Sequence, residues 1–174
     1  MAPKLADKIK HIPTIIVGGK PVSRKILIAL DESIEAMRGV SSTGALAGHC
    51  DPEITLCHCL KLPAMFRIAK GQLNTTQGGQ DWREYNENRF KPYMDEATQR
   101  LLDAGINADR ISRDFIAVKG NTIHKIVETA FSGDFGTIVV GRREVISFAQ
   151  EHFRGRFSKK IIKSLDNMAV WVVS

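Results

Sequence analysis

Hydrophobic positions along this chain fall into two kinds of run, and the two kinds alternate. Lys25-Ile26-Leu27-Ile28-Ala29-Leu30-Asp31 is an almost unbroken apolar stretch ending in a carboxylate, the pattern of a strand covered on both faces. Glu53 to Leu60, Ile111 to Val118, Thr137 to Val140 and Met168 to Val173 supply the remaining strands. Between these runs the spacing changes. Ile123, Ile126, Val127 and Ala130 recur at i, i+3, i+4 and i+7 behind Gly120-Asn121, which predicts an amphipathic helix. Ser33 is placed to cap a helix running to about Gly48. Another helix is predicted up to about Ala104, started or perturbed by Pro92 and closed by Gly105. Phe157, Ile161, Ile162 and Leu165 share one helical stripe behind Gly155.

Strands alternating with helices predict an α/β fold: an open parallel five-stranded sheet with helices on both faces, Rossmann-like. Right-handed crossovers restrict the layout, and the expected order is 3-2-1-4-5. The topological switch point then lies between the first and fourth strands, whose carboxyl ends carry Asp31 and Gly141. Residues 1–23 read as an N-terminal extension to a domain spanning 24–174, with Thr14 to Val17 able to add a short strand. The polar stretch at about 61–85 reads as an insertion, with Gly71 to Gln80 its mobile flap. The last strand has nothing after it to cover its edge, so a homodimer built on Val170, Trp171 and Val172 is expected.

Composition narrows the classes. With 174 residues, 43% of them hydrophobic, the chain has the apolar mass for one ordinary core. No run approaches the ~18 apolar residues of a membrane span, and no apolar signal segment follows the N-terminus. Three cysteines, two inside an apolar strand, suit a reduced, cytoplasmic protein. Cys57 and Cys59 share a strand face, but Cys50 lies on the order of 20 Å from Cys57 at strand rise, so no metal site closes around them. His11, His124 and His152 are scattered. No nucleophile elbow, paired-carboxylate motif or dehydrogenase glycine fingerprint is present, which makes an enzyme the weaker class.

Charge points to one place. Between Gly141 and Ser164, seven lysines and arginines outnumber two glutamates, a local excess of +5 within the chain's formal +6. A field of that sign favours an anion. A glycine at a strand end, a loop and a second glycine opening a helix supply free amides for a phosphate. Without an aromatic-basic motif or zinc spacing, a nucleic-acid binder is the weaker class.

Lys25 to Ser33 with Ala36, Leu56-Cys57-His58-Cys59, Gly120 with its helix, Ile138-Val139-Val140-Gly141-Arg142-Arg143 and Gly155-Arg156-Phe157-Ser158 together resemble the universal stress protein family, over roughly Ser23 to Ser174. The resemblance implies an adenine nucleotide, ATP or ADP, bound in a stress-response signalling or regulatory dimer that pairs through the C-terminal strand. Hydrolysis would be slow at most, since no residue is an evident base. Asp31 and Cys59 stand where the family contacts the nucleoside. Gly141, Gly155 and Ser158 fall at its phosphate positions, with Arg142 and Arg156 as charge partners. The family's Gly-x2-Gly-x9-Gly-Ser/Thr pattern is met only in part. Glu144 replaces the second glycine, the spacer is one residue longer, and Arg156 replaces the hydroxyl residue. The alternative is a module of the same fold that binds no nucleotide and acts through dimerisation.

Overall fold

Why the central strands are apolar on both sides is visible in their surroundings. In the computed structural model, which describes residues 14–17 (as backbone), 23–63, 77–141 and 168–173, six strands form one sheet. They are β1 (Thr14–Val17), β2 (Lys25–Leu30), β3 (Glu53–Lys61), β4 (Ile111–Val118), β5 (Thr137–Gly141) and β6 (Met168–Val173). Their order is β1-β6-β5-β2-β3-β4. The five strands from β2 to β6 are parallel and have the expected order 3-2-1-4-5. Helix α1 (Ile34–Ala47) and helix α2 (Gln77–Asp103) cover one face, and α3 (Thr122–Ser132) covers the other.

Period-two alternation sorts the strand side chains between two cores. Ile26, Ile28, Leu30 and Leu56 pack with Val40 of α1 and with Phe90, Met94 and Leu101 of α2. Leu27, Ala29, Cys57, Ile138 and Val140 pack with Ile126 and Ala130 of α3. On both faces the burial supplies the main driving force, roughly 25 cal/mol for each Å² of apolar surface removed from water.

The helix ends follow the side chains available to cap them. Ser33 Oγ accepts from the Ala36 amide at 3.1 Å, and Asn121 Oδ1 accepts from the His124 amide at 2.9 Å. Gly105 terminates α2 with φ +90°, a conformation that a side chain would strain.

Three expectations are corrected. α2 begins at Gln77, so the 61–85 stretch is not wholly an insertion: Lys61 ends β3 and Gln77 to Gln80 are helical, while residues 64–76, with 71–76 of the expected flap, lie outside the described residues. Gln77 Nε2 donates to Asp81 Oδ1 at 2.7 Å, an i,i+4 bond that supports a first turn containing two glycines. Pro92 neither starts nor ends α2 but lies exposed within it, where water can reach the carbonyl left without a partner. The edge of β6 is not bare either. β1 pairs along it antiparallel, from Thr14 opposite Trp171 to Val17 opposite Met168. The helix expected behind Gly155 lies outside the described residues.

Candidate functional site

The strand β2 ends in a turn that hands the chain to α1. Asp31 Oδ1 accepts from the Ser33 amide at 2.9 Å and also from Ser33 Oγ. That hydroxyl oxygen in turn caps α1 through Ala36. The carboxylate is thus held at the positive end of a helix, as the macrodipole favours. Asp31 Oδ2 has no protein partner among the described residues.

Gly141, the last residue of β5, is buried beside this turn. A Cβ there would lie 3.3 Å from Glu35 Cβ, 3.5 Å from the Ala36 nitrogen and 3.7 Å from Ser33 Oγ. Glycine therefore lets the first turn of α1 approach the strand end closely. β2 and β5 are direct neighbours, so Asp31 and Gly141 meet at the switch point between them.

Cys59 sits on the adjacent strand. Leu30 pairs with His58, which leaves Asp31 one residue beyond the ladder and level with Cys59. The cysteine is half-buried and packs with the apolar cluster under α3, as does buried Cys57. Of the residues assigned from sequence, Asp31, Cys59 and Gly141 converge on the carboxyl ends of three neighbouring strands. Arg142, Gly155, Arg156 and Ser158, with Glu144, lie outside the described residues.

The sequence reading gave His58 no role, yet it is the most constrained polar side chain nearby. Alternation turns it, with Leu56 and Leu60, toward α1 and α2. Its Nδ1 lies 2.8 Å from the Leu30 carbonyl oxygen. Its ring stacks on Phe90 with centroids 3.4 Å apart and planes 12° from parallel. Phe115 meets it edge-on at 6.2 Å. Burial holds the imidazole below its ordinary 6.5. It outweighs the Leu30 carbonyl and the carboxylates of Glu32 and Asp31, which pull the other way, and Arg89 adds a smaller lowering effect. A cavity of about 490 Å³ opens beside the ring, walled by Asp31, Ser33, Asn86 and Phe90 and spanned at its mouth by Arg89, whose Nη2 reaches Glu32 Oε1 at 2.7 Å. The sequence signal for this wall was the period-two position of His58 and the i,i+4 stripe of Asn86 and Phe90. Among the described residues, no group of three His, Cys, Asp or Glu could hold a metal ion, and no helix is long and apolar enough to cross a membrane.

A doubly wound parallel sheet with a glycine and a carboxylate at its switch point defines a class, the Rossmann-like α/β proteins. Within that class the chain belongs to the universal stress protein family, whose model matches residues 23–174. Solved structures agree on the fold. The universal stress protein UspA from Lactobacillus plantarum is 15% identical and superposes with a TM-score of 0.58, over 89% of this chain and 100% of that one. A protein of the universal stress protein family from Burkholderia pseudomallei is 19% identical, with a TM-score of 0.53 over 77% of this chain and 94% of that one. A universal stress protein solved in complex with cAMP is 17% identical, with a TM-score of 0.54 over 88% and 98% of the two chains. No curated protein sequence matches the chain.

Proposed function

We propose that the crevice between the ends of β2, β3 and β5 binds an adenine nucleotide, ATP or ADP, and that the protein acts as a stress-response regulator through assembly rather than turnover. The observation that carries this reading is the meeting of Asp31 and Gly141 at the switch point, where a Cβ would already touch Glu35 and the Ala36 nitrogen. The residues present fit a nucleoside: Asp31 Oδ2, without a partner among the described residues, is an acceptor for a hydroxyl or amino group, and Cys59 offers a half-buried, weakly polar neighbour. Gly141, Gly155 and Ser158 would hold the phosphates, with Arg142 and Arg156 balancing their charge. A related protein's complex with cAMP supports the adenine class of ligand.

Two features favour the rival reading, a nucleotide-free interaction module. Glu144 and Arg156 depart from the family's phosphate pattern, and Glu35 adds a carboxylate beside Gly141. Denaturing the purified protein and assaying the supernatant by anion-exchange chromatography separates the two. Release of about one adenine nucleotide per chain is expected. Nucleotide-free supernatant from protein that also fails to take up added ATP selects the interaction module. The proposed dimer forms at the β6 end of the sheet once β1 gives up that edge.

A further inference from the structure

The cavity under Arg89 belongs to the opposite side of the sheet from Cys59, and three of its polar side chains share one character. The Leu30 carbonyl can only accept, so His58 Nδ1 carries the proton and donates. Burial keeps the ring neutral, and Nε2 is therefore a lone-pair acceptor. The same logic fixes Asn86: its Nδ2 donates to the Trp82 carbonyl at 2.6 Å, which leaves Oδ1 as the unengaged acceptor. Asp31 contributes Oδ2, because Oδ1 is taken by Ser33. Ser33 Oγ donates to Asp31 and accepts from Ala36, so it has no donor to spare. The main donor nearby, Arg89, is drawn to Glu32 at the mouth.

Three of the lining residues, Asp31, His58 and Asn86, thus each keep an acceptor uncommitted among the described residues, and the lining also includes apolar Leu60 and Phe90. With His58 neutral, two carboxylates stand against one guanidinium, and the net local charge is negative. Arg89, the cation of the lining, is already paired with Glu32, so an anion meets an excess of negative charge. A primary ammonium supplies three donors, no acceptor and a positive charge, and an attached alkyl chain suits the apolar wall. At about 490 Å³ the cavity is in the ordinary range for small ligands.

We propose that this cavity is a binding site for a small organic cation bearing a primary ammonium group, adjoining the nucleotide crevice and sharing Asp31 with it. The ammonium sits between Asp31 Oδ2, His58 Nε2 and Asn86 Oδ1, and its alkyl chain lies along Phe90 and Leu60. Nucleotide-free protein is titrated with putrescine, followed by calorimetry and by the imidazole nitrogen resonances of His58. Putrescine is expected to bind and to shift His58 Nε2 more than Nδ1. Asn86→Leu and His58→Phe are each expected to weaken it about tenfold or more, the scale of a lost charge-assisted bond. Circular dichroism and the remaining amide resonances establish that both variants are folded. The proposal is overturned if millimolar putrescine leaves Nε2 unmoved, if glycerol or acetate shifts it equally, or if both folded variants bind as the parent does. Gly155→Val, which targets the nucleotide reading alone, is expected to bind putrescine unchanged; loss there would show that the two sites are one and overturn the proposal.

Discussion

At the scale of single residues, His58 makes the clearest thermodynamic statement. Its folded-state affinity for protons is depressed, so the unfolded chain binds the proton first as pH falls. Stability is therefore full above the ordinary histidine value and declines below about 6.5, until the folded ring also protonates. Urea unfolding at pH 7.5 and 5.5 should give a lower midpoint at the acidic pH, and His58→Phe should reduce that difference. An equal difference in both proteins would remove His58 as its source. Gly141 offers a second test. A valine would press its branches on Glu35 and the start of α1, costing about 1–3 kcal/mol by overpacking. A Gly141→Val protein with an unchanged urea midpoint would contradict the close approach. Legibility at this scale followed local chemistry. Ser33 was readable as a cap because capping needs only a side chain and the next turn. His58 was not, because its partners Leu30 and Phe90 are 28 and 32 residues away in sequence and joined to it only by the fold.

At the scale of elements, the central strands were legible because short, β-branched apolar runs, too brief for helices, suit a parallel sheet covered on both faces. The start of α2 was not. Gly78, Gly79 and Gln80 have no helical pattern of their own, and the turn is supported by Gln77 reaching Asp81, by the Arg83–Glu87 pair at 2.6 Å, and by Arg83 Nη2 donating to the Phe115 carbonyl at 2.9 Å. The last is tertiary and invisible in local spacing. Farther along, Phe90, Met94, Ala97 and Leu101 form the stripe that seats the helix. α1 and α2 meet at Gly44, where an added Cβ would lie 2.6 Å from Ala104 Cβ. Replacing that glycine gains at most ~1 kcal/mol of helix propensity, while the overlap costs about 1–3 kcal/mol. Gly44→Val should therefore lower the urea midpoint at constant m-value. A midpoint at or above the parent's would mean that the two helices are not in that contact.

At the scale of the whole molecule, β1 decides what the C-terminal end of the sheet can do. A run such as Thr14 to Val17 could be named as a strand from sequence, but its partner could not, since antiparallel pairing with β6 spans nearly the full chain. A chain lacking residues 1–22 bares the β6 edge and should self-associate more strongly than the full chain in light scattering. Equal association constants would mean that β1 does not guard that edge. The central claim, that the switch-point crevice holds an adenine nucleotide, is tested most directly by calorimetric titration of ATP into the intact protein and its Gly155→Val variant. The account predicts one site per chain in the parent and binding at least about tenfold weaker in the folded variant, because a branched side chain blocks the approach of phosphate to the backbone. Equal binding by both proteins, or no binding by the nucleotide-stripped parent, would contradict it.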